Sequence, residues 1–137
     1  MKNDFVCAEN YKPLIPDGVY EAQCIKCDSS FRLGKTRKTF LHFRILDPGP
    51  HCGKQIFMAF NMPDEKRIRA GSKYYKTWCM VNGWQKPSKN AIMSPRLFKN
   101  KIYKLKTRTV EPKHNGEKMP KDFWYSVVDE IIEVIAG

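Results

Sequence analysis

Acidic residues are scarce in this chain. Its 137 residues carry 14 Asp and Glu against 25 Lys and Arg, a formal net charge of +11. No apolar run reaches the roughly 18 residues of a membrane-crossing helix, so no spanning segment is expected. Met1-Lys2-Asn3-Asp4 leads into no apolar stretch, so no secretory signal is expected either. The five cysteines, Cys7, Cys24, Cys27, Cys52 and Cys79, are odd in number. They read as unpaired thiols or small core residues in a reducing compartment. Sequence repeats and low-complexity tracts are absent. So are the nucleophile elbow G-x-S-x-G, the phosphate loop G-x-x-x-x-G-K-[ST] and the zinc helix H-E-x-x-H.

Catalysis therefore has little to build on. The histidines His42, His51 and His114 show no metal-ligand spacing. Asp28, Asp47, Asp64 and Glu65 fall at turns or at a helix start, without the convergence a metal nuclease needs. No catalytic residue is expected. Cys24-x-x-Cys27 invites a zinc reading, but strand residues three apart face opposite sides, and no second ligand pair follows. No metal or other cofactor is expected.

What the chain does have is concentrated positive charge. Residues 26–108 hold twenty Lys or Arg and four acids, a net +16, while the remainder holds five bases and ten acids, a net −5. A solvated surface usually mixes both signs, so a segment this biased is an electrostatic footprint for a polyanion. Three clusters carry it: Arg32 to Arg44, Lys66 to Lys76, and Arg96 to Arg108. Rings are interleaved with them. Bases that track phosphate and rings that stack on nucleobases are what a single strand requires, whereas a duplex backbone needs no rings. The stacking candidates are Phe31, Phe40, Trp84, Phe98 and Tyr103. The phosphate candidates are Arg32, Lys35, Arg37, Lys38, Arg44, Lys104, Lys106 and Arg108. Tyr75, Trp78 and Trp124 read as core.

The pattern along the chain predicts one domain over 1–137, mainly β. Residues 1–16 read as an extended arm. A first strand spans 19–27, and a polar loop follows over 28–36. The clearest strand is 37–46, where Leu41, Phe43 and Ile45 alternate with Phe40, His42, Arg44 and Leu46. After the Asp47-Pro48-Gly49-Pro50 turn comes a strand over 54–60, with Ile56, Met58 and Phe60 on one side. A helix is expected to start at 61–65, where Asn61 can cap and Pro63, Asp64 and Glu65 suit the first turn. Its packed face is expected to hold Ile68, Gly71, Tyr75, Trp78 and Cys79, and its basic face Lys66, Arg69, Lys73, Lys76 and Met80. Ala70-Gly71-Ser72 can split it, with Ser72 capping the second piece and Asn82-Gly83 ending it. Residues 84–95 read as irregular. A fourth strand spans 100–110, and Asn115-Gly116 marks a tight turn. A fifth strand spans 123–135, its tail open to a helical alternative.

Three strands, a helix and two strands is the order of an OB-fold, a small five-stranded barrel with its helix between strands three and four. That fold binds oligonucleotides on strands two and three and on the loops one–two and four–five. Arg32, Lys35 and Arg37 fall in the first of these loops, and Lys113, His114, Lys118 and Lys121 in the second.

Three stretches add a resemblance. Ile15-Pro16-Asp17-Gly18-Val19-Tyr20 opens a strand. Phe40 to Asp47 is followed by Gly53-Lys54-Gln55-Ile56-Phe57. Leu97 to Tyr103 opens a later strand. Over about 15–135 the chain resembles small bacteriophage and mobile-element proteins that bind single-stranded DNA. The resemblance implies an OB-like fold that coats single strands in replication or recombination, in the cytoplasm of a bacterial or phage-infected cell. The chain ends Val134-Ile135-Ala136-Gly137, without the acidic, Phe-terminated tail of well-known bacterial coating proteins.

The function expected is non-sequence-specific binding of single-stranded DNA. The rival readings are an RNA-binding module, a small basic nuclease, and an accessory protein whose apolar, acidic C-terminus docks a replication or recombination partner. A homodimer through an edge strand at 129–135 is left open. A membrane partner is not expected.

Overall fold

The computed structural model describes residues 12–33, 36–63 and 67–137, with the side chains of 30–33 and 36 outside that set. Five long strands form one antiparallel sheet: β1 (Val19–Leu33), β2 (Thr36–Ile45), β3 (Gln55–Met62), β4 (Ile102–Val110) and β7 (Tyr125–Ala136). Their order across the sheet is β3-β2-β1-β4-β7. Among the described residues a single α-helix, α1 (Lys73–Val81), lies between β3 and β4 in the chain. A two-strand hairpin, β5 (Lys113–His114) and β6 (Glu117–Lys118), precedes β7. Short 3-10 turns occupy Pro95–Phe98 and Lys121–Phe123. The described residues include no helix long and apolar enough to cross a membrane.

Alternation explains the strands. On β2 the odd residues Thr39, Leu41, Phe43 and Ile45 are buried, and on β3 Ile56, Met58 and Phe60 join them. Ala22 and Cys24 from β1, Tyr103 and Leu105 from β4, and Val128 and Ile131 from β7 complete this inner face. Tyr74, Trp78 and Cys79 of α1 cover it. At about 25 cal/mol per Å² of apolar area removed from water, this shared face is the main favourable term in folding.

Several elements depart from the sequence expectation. β1 does not end at Cys27. It runs to Leu33 and pairs along its length with β2, so most of the expected polar loop is strand. β3 also runs further, to Met62, because Asn61 and Met62 pair with Lys38 and Arg37. Residues expected to start a helix are thus used by the sheet, and residues 67–69 are not helical. Helix α1 begins only after Ser72, whose hydroxyl accepts from the Tyr75 amide at 3.2 Å. That later start changes the buried face: Tyr74 is buried and Tyr75 only half so. The expected stop at Asn82-Gly83 is where the helix ends, with Gly83 at φ 75°. Asn115 and Gly116 form the hairpin turn, at φ 53° and 83°. The tail of β7 is strand, as its β-branched Ile131, Ile132, Val134 and Ile135 favour.

The end of the expected arm is built into the fold. Pro13 and Ile15 are buried. The Ser126 amide donates to the Pro13 carbonyl at 2.9 Å. Thr107 closes the entry to β1: its amide donates to the Gly18 carbonyl at 2.9 Å, and its hydroxyl accepts from the Gly18 amide at 3.1 Å. The first eleven residues of the arm lie outside the described residues.

Candidate nucleic-acid interface

The outer face of β2 and β3 follows from the same alternation. Cross-strand register sets Lys38 opposite Asn61, Phe40 opposite Ala59, His42 opposite Phe57 and Arg44 opposite Gln55. On the other flank, β1 sets Lys26 opposite His42 and Asp28 opposite Phe40. All eight of the β2 and β3 side chains therefore leave the core together.

Four rings form a row on this face. His42 and Phe40 stack at 6.4 Å between centroids, with 28° between their planes. Phe40 meets Phe57 at 5.6 Å, edge to face. Phe57 stacks on Tyr125, the first residue of β7, at 6.2 Å and 27°. Each ring is half-buried, so part of its surface reaches solvent. The row thus spans the seam where β3 and β7, the two edge strands, approach each other.

Cations border the row. Lys12 holds its ammonium 4.5 Å from the Tyr125 centroid and 5.7 Å from that of Phe57. Lys26 and Arg44 are exposed beside His42. Lys38 donates to the Asn61 side-chain oxygen at 2.5 Å. Among the described residues, neither Lys12 nor Arg44 has a carboxylate within ion-pair distance. Burial, and then the charge of Lys26, hold the His42 imidazole below its usual pKa, with Asp28 opposing in part. At neutral pH it is therefore an uncharged flat ring.

The sequence candidates divide. Phe40, Lys38 and Arg44 share this face. Arg37 does not: it faces the other way, into a cleft lined by Thr39, Met62, Tyr74 and Pro95. Phe98 and Tyr103 must be withdrawn as stacking residues, because both are 0% exposed. Phe98 packs on Tyr74 and Phe60, and Tyr103 donates its hydroxyl to the Phe98 carbonyl at 2.7 Å. The basic residues of β4 lie across from the acids of β7. Lys104 pairs with Glu133 at 3.3 Å and Arg108 with Asp129 at 3.1 Å. Lys106 is exposed, in register with Glu130. Trp84 is 75% exposed but sits past the end of α1, in a shallow groove with Lys76, Met80 and Glu130, apart from the ring row. The side chains of Phe31 and Arg32, and Lys35 altogether, lie outside the described residues. In the expected second loop, Lys118 pairs with Glu111 at 2.8 Å. Trp124, read as core, is half-buried and donates its indole N–H to the Met119 carbonyl at 3.0 Å.

Sequence reasoning missed Lys12, Lys26, His42, Phe57 and Tyr125 as site residues. For Phe57 a signal existed, since placing Ile56 and Met58 inside puts Phe57 outside. No local signal brings residue 125 to residue 57.

Comparison with protein-family models, with curated proteins and with solved structures finds no match to this chain.

Proposed function

We propose that the outer face of β2 and β3 binds single-stranded DNA without sequence preference, by ring stacking and phosphate neutralisation. The observation that carries this reading is the continuous row His42–Phe40–Phe57–Tyr125 with Lys12, Lys26, Lys38 and Arg44 along its borders. Stacking on aromatic faces tolerates any base, because every base has a π-face, and each stacked base contributes about 1–3 kcal/mol. Buried rings would do none of this, and fully exposed ones would be poorly held. Half-buried rings on a sheet are both held and available.

The architecture is proposed to be an OB-like barrel. The strand order, the helix between the third and fourth long strands, and the meeting of β3 and β7 at Phe57 and Tyr125 support it. In that fold this is the oligonucleotide face. The role is proposed to be protection of single strands in replication or recombination.

The test is fluorescence anisotropy with labelled single-stranded DNA, duplex DNA and RNA of about 30 nucleotides, longer than the ~4–16 nucleotides that one such fold covers. About four phosphate contacts at ~0.7 each give a slope of log affinity against log salt near −3. Tight single-strand binding with that slope and weak duplex binding is the expected result. Equal, weak binding to all three would defeat the reading. Tighter binding to RNA would reassign the face to RNA.

A further inference from the structure

Cys24 and Cys27 are three apart on β1, a spacing that points side chains to opposite faces of a regular strand. A bulge cancels that rule here. The register slips between Cys24, opposite Phe43, and Lys26, opposite His42, so Ile25 is an extra residue. Cys27 then falls opposite Leu41. Leu41 and Phe43 are same-face neighbours on β2, both buried. Their partners Cys24 and Cys27 are therefore same-face neighbours too. Two residue rises separate their Cα atoms by about 6.6–6.8 Å. A disulfide bridges Cα separations of about 4.4–6.8 Å, so this pair sits at the upper edge of that range.

The two thiols are unequal. Cys24 is fully buried, while Cys27 is half-buried. At rest the Cys27 thiol donates to the Pro95 carbonyl at 3.1 Å. The hydrogen bond between the sulfurs, and then burial, push the Cys24 thiol up. Interaction with Cys24 holds Cys27 below the usual thiol range against its own burial, and the Lys99 charge helps. Cys27 is the nucleophile of the pair and Cys24 its proton-holding neighbour. Among the described residues no third His, Cys, Asp or Glu joins them, so the unit is two sulfurs and not a metal centre.

We propose that Cys24 and Cys27 are a reversible dithiol–disulfide pair, oxidised by a low-molecular-weight disulfide such as oxidised glutathione. The Cys27 thiolate attacks one glutathione sulfur, forming a mixed disulfide and releasing the other glutathione as thiolate. Cys24 loses its proton, and its sulfur attacks Cys27 Sγ. The bond from Cys27 to glutathione breaks, and the second glutathione leaves. The two departing thiolates take up the two protons that the cysteines lost. Two electrons and two protons pass from the protein to glutathione disulfide, yielding one protein disulfide and two glutathiones. A bridge formed this way is open to the reverse exchange with a thiol, so the pair can cycle between the two states. This inference stands apart from the proposed function.

The experiment uses the full chain, folded, incubated with oxidised glutathione, alkylated with iodoacetamide and digested with trypsin. Cleavage after Lys26 separates the two cysteines, so a bridge appears directly as two joined peptides. The expected result is that linked pair, reversed by dithiothreitol, with both cysteines protected from alkylation. A Cys24→Ala variant should instead accumulate glutathione on Cys27, and a Cys27→Ser variant should carry none on Cys24. A glutathione adduct that persists on Cys27 in the natural chain would overturn the proposal. So would an unmodified Cys27 while exposed Cys52 reacts. If Cys24→Ala fails to fold by circular dichroism, mapping of the natural chain decides the matter alone.

Discussion

The Ser126 hydroxyl satisfies both backbone groups of Ile15, a residue 111 positions away in sequence. It accepts from the Ile15 amide at 2.9 Å and donates to the Ile15 carbonyl at 3.1 Å. Both residues are buried, so neither backbone group has water to fall back on. Removing the hydroxyl orphans a donor and an acceptor at once. Ser126→Ala should cost about 1–3 kcal/mol of stability, the desolvation penalty of buried unpaired polar groups. Urea unfolding measures it. An unchanged midpoint would mean that the arm does not hold β7.

The rings should separate into two classes by what their loss does. Phe57→Ala and Tyr125→Ala should each weaken single-strand binding by about 1–3 kcal/mol. Phe98→Ala should lower stability by about 3–5 kcal/mol and leave the affinity of the folded fraction unaltered. Anisotropy titrations paired with thermal melts distinguish them. Phe98→Ala weakening binding in a fully folded sample would contradict the core assignment.

The cations should separate by their partners. Arg44→Ala should reduce the magnitude of the salt slope by about 0.7, one phosphate contact. Lys104→Ala should reduce it less, because Lys104 already faces Glu133 at 3.3 Å. Glu133→Gln should make the slope steeper by releasing Lys104. An exposed pair of this kind contributes only about 0–1 kcal/mol to stability, so none of these variants should melt early. Equal slopes for Arg44→Ala and Lys104→Ala would remove the distinction between the two faces.

His42 gives a pH signature. Its folded pKa lies below its unfolded value of about 6.5, chiefly through burial. Above that pH both states hold a neutral ring and no difference arises. As pH falls through 6.5 the unfolded chain takes up a proton first, so stability declines and then levels off below the folded pKa. Over the same window the folded imidazole gains charge, and affinity for phosphate should rise. Denaturation midpoints between pH 7.5 and pH 5 should show that His42→Gln removes its share of the decline. The natural chain and the variant showing parallel curves would place the decline elsewhere.

Local pattern carried much of this architecture. Leu41, Phe43 and Ile45 declare the inner face of β2, Ser72 declares a helix cap, and Asn115-Gly116 declares a turn, each through neighbours in sequence. What escaped depends on partners distant in the chain. The bulge at Ile25 exists only in the pairing of β1 with β2, so the same-face placement of Cys24 and Cys27 has no local mark. Asn61 suits a helix cap in isolation, yet its register opposite Lys38 keeps it in a strand. The basic run of β4 looks like a binding strand until β7 brings Asp129, Glu130 and Glu133 beside it. Tyr103 adjoins Lys104 in sequence, but strand neighbours point opposite ways, and Phe98, beside Lys99, ends a 3-10 turn that packs its ring on Phe60 and Tyr74.

That last pairing has a consequence for how the molecule meets a polyanion. The total of +11 counts charges without direction. With the β7 acids set against the β4 bases, that side of the sheet is close to balanced, and the excess lies elsewhere: β2 carries Arg37, Lys38 and Arg44, and ten Lys or Arg fall within residues 66–101. The protein is then an oriented electrical object, not a uniformly sticky one. A chain of phosphates approaching so uneven a charge distribution exerts a torque on the molecule before contact. Such preorientation acts on the rate of encounter and fades as salt rises.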